Sequence, residues 1–253
     1  MNLDITHLLD SWDYQPGQIV VRKIKGKDGR EKLQLRVDLG ILQMNASGRP
    51  DGKLPFGHET LFDHFLSRWT KYTEAHESDP SGFKLSSEDC GKLQQEAIQY
   101  HHRYICLFQL KDYDAVIRDT ERNLTVFDFI NQFAEAPEVA AGIGQLRPQL
   151  LMMRARAKGS KESEAALHSQ AIETIEKTME DIRTYFREQN RPELAEQSGE
   201  IHSLEQWCQE IRSTRPLSQL EKLEKALNEA VRREDYEKAA EVRDALRNLK
   251  TVL

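Results

Sequence analysis

The sequence predicts a mainly α protein: a helical bundle with one repeat-like helix pair, an N-terminal β-hairpin before it and a C-terminal antiparallel helical hairpin after it. Three observations predict this. First, 31% of the 253 residues are charged and only 13 are Gly and 8 Pro, whereas an ordinary domain is about 25% charged; such a composition favours long helices washed by solvent. Second, Leu33, Leu35, Val37 and Leu39 alternate strictly with other residues, the period of a strand with one buried face. Third, from His58 onward the apolar residues recur at three and four positions, the period of an amphipathic helix.

Leu3, Ile5, Leu8, Leu9 and Trp12 form a short amphipathic stretch that Pro16-Gly17 terminates. Ile19–Ile24 and Leu33–Leu39, separated by a turn around Gly26-Lys27-Asp28-Gly29, read as the two strands of a hairpin. An isolated hairpin is marginal in water, so one face must pack on something. Asn45–Gly57 reads as a long turn-rich loop, either a structural crossover or a contact surface.

Leu61, Phe62, Phe65 and Trp69 then share a helix face, with a break at 78–82. Ser86-Ser87-Glu88-Asp89 has the form of a helix cap. Helices continue to about Gln132, a loop is expected over Ala136–Pro148, and two long amphipathic stretches follow over roughly 149–189 and 192–212. Arg215-Pro216 lies in the clearest linker, which divides the chain into a hairpin-and-loop region (1–57), a helical domain (58–212) and a linker with a terminal helical hairpin (213–253).

Charge excludes some functions. The net charge is −6, and it is uneven: residues 1–57 carry nine Lys and Arg against seven Asp and Glu, whereas residues 216–253 carry eight of each. No segment has the basic excess of a nucleic-acid-binding surface, which works by displacing phosphate counterions. Lys23, Lys25 and Lys27 could form a weak nucleic-acid contact, and a solvated hairpin tip is the plainer reading. No run approaches the roughly 20 apolar residues of a membrane span, and Met1-Asn2-Leu3-Asp4 lacks a signal-peptide pattern. Cys90, Cys106 and Cys208 lie far apart, which reads as reduced thiols in a cytoplasmic protein.

Motifs for chemistry are missing. Gly48–Lys53 is not a phosphate loop, because GxxxxGK[ST] is unmatched and Pro50 removes a donor N–H. His101 and His102 are adjacent and point to different helix faces, while His58 and His64 stand six apart, and no CxxC or HxxxH occurs. No metal, cofactor or catalytic residue is therefore expected, and an enzyme is the least favoured class.

The last segment is the most specific. Leu220, Leu223, Leu227 and Val231 make one apolar stripe, and Ala239, Val242, Leu246 and Leu249 make another. A short turn at Arg232–Asp235 joins them, which gives an antiparallel αα-hairpin. Ala239 and Ala240 let the backbones approach, and Tyr236 stands where it could cap the seam. Burying one aliphatic side chain contributes roughly 1.5–3 kcal/mol, against about 1–2 kcal/mol per residue for ordering the backbone. Such a hairpin should leave part of its stripe to be covered by a second surface.

Leu220, Leu223, Leu227 and Ala230, then Asp235-Tyr236-Glu237-Lys238-Ala239-Ala240, then Val242-Arg243-Asp244, Leu246 and Leu249, resemble the UVR motif. This is the helical hairpin shared by the B and C subunits of the bacterial excision nuclease, and the resemblance covers about 35 of the 253 residues. It implies a protein–protein contact, made by Leu220, Leu223, Leu227, Val231, Tyr236, Ala239, Ala240, Val242, Arg243, Leu246 and Leu249, with another UVR-type hairpin or with a second copy as a homodimer. Related hairpins occur in the activator of bacterial protein arginine kinase, whose CxxC pairs this chain lacks, and in chaperone ATPases. The resemblance thus implies a bacterial adaptor linked to nucleotide-excision repair, or a regulator of a chaperone or protease machine.

Gln99–Asp119 resembles the middle of a tetratricopeptide repeat. Leu107 and Leu110 would close the first helix, Lys111-Asp112-Tyr113 would turn, and Val116, Ile117 and Leu124 would line the second. Lys111 stands where that family's turn carries Gly, Val116 and Asn123 stand where it carries Ala, and no second copy follows at a 34-residue period.

Overall fold

The structure is a computed structural model that describes residues 4–77, 79, 81–216 and 219–252, without the side chains of 219–221 and 248–252. It is mainly α and divides into two compact units, 1–208 and 209–253.

The first unit begins with α1 (Thr6–Asp10), followed by β1 (Val20–Lys25), β2 (Glu31–Val37) and β3 (Gly40–Asn45). These strands form one antiparallel sheet in the order β1-β2-β3. The register sets Lys23 opposite Leu33 and Leu33 opposite Met44, so these three share a face. Leu33 and Met44 are buried. On the opposite face Arg22, Gln34 and Gln43 form a hydrogen-bonded ladder, Arg22 Nε donating to Gln34 Oε1 at 2.7 Å and Gln34 Nε2 to Gln43 Oε1 at 2.8 Å. Trp12 lies 4.0 Å from the Arg22 guanidinium and Tyr14 lies 5.1 Å from that of Arg36. The segment after α1 thus covers a polar face, which is why Gln34 and Arg36 are as buried as their apolar neighbours.

Two expectations about this region are corrected. The hairpin has a third strand, β3, which occupies the stretch between Leu39 and the segment read as loop and shares only Asn45 with it. Leu39 is not on the inward face: β2 ends at Val37, Asp38 and Leu39 make the turn between the Val37–Gly40 pair, and Leu39 is 89% exposed.

The helices of this unit are α2 (Leu61–Ala75), α3 (Ser87–Gln109), α4 (Tyr113–Phe133), α5 (Pro137–Gly144), α6 (Arg147–Glu164), α7 (His168–Glu188) and α8 (Glu193–Glu196). α9 (Gly199–Thr214) runs across the division between the units. Thr60 and Asp63 start α2 with a reciprocal capping box, and Ser86 caps α3 by accepting from Asp89 N at 3.2 Å. Leu93, Leu107, Val116, Ile130, Ile175, Ile182 and Leu204 are fully buried in the helical core. Phe62, Phe83, Phe129 and Phe133 pack edge to face or tilted at one end of it.

The expected loop over 136–148 contains α5, which Pro137 opens at its first turn. The expected single stretch over 149–189 is two helices, because the chain reverses at Ala166. Ala166 has φ +60°, its N–H bonds to Ser163 O at 3.0 Å, and the N–H of Leu167 bonds to Glu162 O at 2.8 Å. That pair of bonds is the Schellman closure of a helix C-terminus. The same closure ends α3, with Lys111 at φ +60° bonded to Phe108 O and Asp112 N bonded to Leu107 O. The two helical hairpins α3/α4 and α6/α7 thus share one turn, and the inserted α5 sets the turns further apart than a 34-residue period would.

Candidate functional site

The C-terminal hairpin consists of α10 (Gln219–Arg232) and α11 (Tyr236–Val252), which pack against each other. Its turn is closed as the two above are. Glu234 has φ +55°, its N–H bonds to Val231 O at 3.0 Å, and Asp235 N bonds to Ala230 O at 2.9 Å. Asp235 then caps α11, accepting from Lys238 N at 3.2 Å through Oδ1 and from Ala239 N at 3.0 Å through its carbonyl. One residue therefore ends one helix and starts the next, which leaves no slack and holds the helices antiparallel.

Ala230 and Ala239, Leu227 and Val242, and Leu223 and Leu246 stand pairwise at equal distances along the chain from this turn. Ala230, Ala239 and Leu246 are buried, and the two alanines at the turn end permit close backbone approach. Leu223, Leu227, Ala240 and Val242 are only half-buried, Val231 is 52% exposed, and Arg243 is exposed beside Asp244. Tyr236 does not cap the seam: it begins α11 and is 70% exposed. The expected contacts of Leu220 and Leu249 lie outside the described side chains. The hairpin thus holds a set backbone while part of its aliphatic stripe stays open to solvent.

A second constellation fixes the 45–57 loop. Arg103 and Asp119 are buried and pair bidentately, and Arg103 Nη1 donates to Gly48 O at 2.6 Å and to Asn45 O at 3.3 Å. Glu96, 1% exposed, accepts from the first amides of α2, Leu61 N at 2.7 Å and Phe62 N at 3.2 Å, where the helix dipole favours a carboxylate. It also pairs with Arg122, and with Arg49 Nε at 2.9 Å, an ion pair by distance that is bent too far for a hydrogen bond. The Tyr100 ring lies under both Arg103 and Arg122. Beyond these anchors the loop presents Leu54 at 68% and Phe56 at 72% exposure, with Phe56 at φ +52° and stacked 4.2 Å from His64. Sequence reasoning missed this network. Its one signal was two Arg and two carboxylates on the inward stripes of helices otherwise read as apolar, Arg49 lying in the loop itself.

The structure brings together some of the remaining sequence-identified residues. Lys23 and Lys25 share a sheet face, and Lys27 sits in the following turn. Lys23 lies 3.6 Å from Glu31 and 3.8 Å from Asp112, so its charge is partly met within the chain. His58 and His64 do meet, with ring centroids 5.3 Å apart, because His58 precedes α2 in extended backbone and folds back toward the helix. No group of three or more His, Cys, Asp or Glu able to hold a metal occurs among the described residues. Cys90, Cys106 and Cys208 are buried. Burial pushes the Cys106 thiol up to about 12 and raises that of Cys90. Among the described residues no helix is long and apolar enough to cross a membrane.

Against known proteins, the model of the UvrB/UvrC motif, UVR, matches residues 218–252, which span the hairpin. UVR motifs generally mediate protein–protein interaction. No curated protein and no solved structure matches the chain.

Proposed function

We propose that this chain is a non-enzymatic protein-interaction adaptor of the bacterial cytoplasm, which pairs through its C-terminal hairpin with a UVR-type hairpin on another protein or on a second copy of itself. One observation carries the reading: the motif match falls on a hairpin whose turn is fully hydrogen-bonded while Leu223, Leu227, Val231 and Val242 keep part of their surface in water. A second hairpin laid against that stripe removes apolar area at about 25 cal/mol per Å². The balanced charge of residues 216–253 favours a helix partner over nucleic acid. In the first unit, the anchored loop with Leu54 and Phe56 offers a separate contact surface.

The narrower reading is a partner in nucleotide-excision repair, and the alternative is control of a chaperone or protease machine through the same hairpin. Weak nucleic-acid binding through Lys23, Lys25 and Lys27 is disfavoured by the ion pairs of Lys23.

The test compares full-length protein with Val231→Lys and Leu227→Asp variants, and with a chain ending before residue 217. Co-purifying partners and mass in solution are the readouts. Loss of a partner or of a dimer in all three supports the reading; unchanged partners and unchanged mass sink it. Ultraviolet sensitivity of a deletion strain, against heat-stress sensitivity, separates the two pathways. Salt-dependent DNA binding lost on charge reversal at the three lysines would move the assignment to nucleic acid.

A further inference from the structure

A cleft of about 230 Å³ opens between α3 and α6, with α4 as its floor. Its apolar walls come from Ala97, Ile98, Phe127, Leu146 and Leu150. The described residues that line it carry no formal charge, in a chain that is 31% charged. Its polar groups are all neutral, and they are not equally available. Asn123 is committed: its Nδ2 donates to Ala97 O at 2.9 Å, and its Oδ1 accepts from Arg122 Nη1 at 3.0 Å. Gln94 and Gln149, half-buried, make no side-chain hydrogen bond among the described residues.

His101 is the group whose state can be worked out. Burial raises the Tyr104 phenol, which therefore keeps its proton, and burial together with His102 lowers His101, which stays a neutral imidazole. The Tyr104 hydroxyl lies 2.5 Å from His101 Nδ1. A phenol proton donated there leaves Nδ1 as acceptor and places the imidazole proton on Nε2. Nε2–H is then a donor with no partner among the described residues, on the wall of an apolar cleft lined also by those two carboxamides. A simple packing gap would be dry and apolar throughout.

We propose that this cleft is a binding site for a small, planar, uncharged ligand with a carbonyl acceptor, the chemical class of aromatic carboxamides and nucleobases. The ring lies against Ile98, Phe127 and Leu150, the carbonyl accepts from His101 Nε2–H, and the Gln94 and Gln149 amides complete the polar edge. The size agrees, since a dry cavity of about 150 Å³ holds benzene. Charge sets the selectivity: an anionic analogue would lose its hydration and meet no cation.

Titration of the full-length protein with benzamide, benzoate and toluene, followed by ligand-observed NMR and calorimetry, tests this. Benzamide is expected to saturate one site, toluene to bind at least tenfold more weakly, and benzoate not to bind. His101→Phe, which keeps the ring and removes the donor, is expected to weaken benzamide about tenfold and leave toluene unchanged. Gln149→Leu, at the rim, provides a second variant should His101→Phe fold poorly, with a loss of several fold. Absence of benzamide binding at millimolar concentration overturns the proposal. So does toluene or benzoate binding as tightly as benzamide, or benzamide binding unweakened in both variants.

Discussion

Arg103 and Asp119 join α3 to α4 as a bidentate pair, Nε to Oδ2 at 2.6 Å and Nη2 to Oδ1 at 2.8 Å, and each leaves 1% of its side chain exposed. The remaining guanidinium nitrogen holds the carbonyl of Gly48, so one side chain ties the loop to the helical core. Removing Arg103 leaves Asp119 with only the half-exposed Arg118, whose Nε lies 3.0 Å from Asp119 Oδ1, and breaking a buried pair costs about 3–5 kcal/mol where the remaining charge has no other partner. Arg103→Met is therefore expected to lower the urea-unfolding free energy by the lower end of that range, because Arg118 still meets the carboxylate, and to raise amide exchange over residues 45–52. Arg103→Met with Asp119→Leu should recover part of the loss, because no orphan charge remains. A single-variant cost under about 1 kcal/mol would contradict this account.

Gly159 sits inside α6, where Gly costs about 1 kcal/mol relative to Ala in a free helix. It is retained because a Cβ there would stand 2.7 Å from Cη2 of Trp207 on α9. The indole is itself held by Arg156, 5.6 Å from its ring. Overpacking of this kind costs about 1–3 kcal/mol, so Gly159→Ala is expected to destabilise by about 1 kcal/mol net and to shift the tryptophan emission. In a Trp207→Leu background the sign should reverse, and a double-mutant cycle measures the coupling.

Ala166 ends α6 in the left-handed region at φ +60° with its side chain exposed. A β-carbon costs roughly 1–2 kcal/mol there, and Gly returns part of that gain through its freer unfolded chain. Ala166→Gly should stabilise by about 0.5–1 kcal/mol, read as a rise of about 1–3 °C in the melting temperature of the first unit. Ala166→Val should lower it. Equal melting temperatures for the three proteins would show that the turn carries no such strain.

The Ala166 turn also explains what the sequence hid. The start of α3 was legible because Ser86 carries its signal in the side chain, whereas the same signal at Thr60, ahead of α2, was not read. Helix ends at Lys111, Ala166 and Glu234 were harder, because each is left-handed without being Gly. Only the first and last were flanked by an Asp-Tyr pair that marked the turn, so the α6/α7 break went unseen. The terminal hairpin was legible because Leu223, Leu227, Val242 and Leu246 keep strict period within one local unit. The loop anchors were not, because Arg103 meets Gly48 across 55 positions and no local pattern records that distance. β3 was missed for a related reason: its exposed Leu42 and Gln43 beside buried Met44 give a weak alternation, and only pairing with β2 defines it as a strand.

Acid should weaken the first unit through His64 and His101. His64 lies below its ordinary 6.5 because burial disfavours its charged form, with His58 and then Arg68 adding repulsion. His101 is lowered by burial and then by His102. When the folded value lies below the unfolded one, the unfolded chain binds more protons in between, so unfolding free energy rises with pH across that interval. The stability these two residues lend is full above about pH 6.5, falls as the pH drops through the unfolded value, and levels off below the folded one. Asp28, Asp79 and Glu164, whose values are lowered from 3.8, 3.8 and 4.5, titrate beneath this window. The urea midpoint is therefore expected to decline between pH 7.5 and 5.5. His64→Gln combined with His101→Gln, which keeps an acceptor for the Tyr104 hydroxyl, should flatten that decline. A slope as steep in the double variant as in the parent would assign the acid sensitivity to other groups.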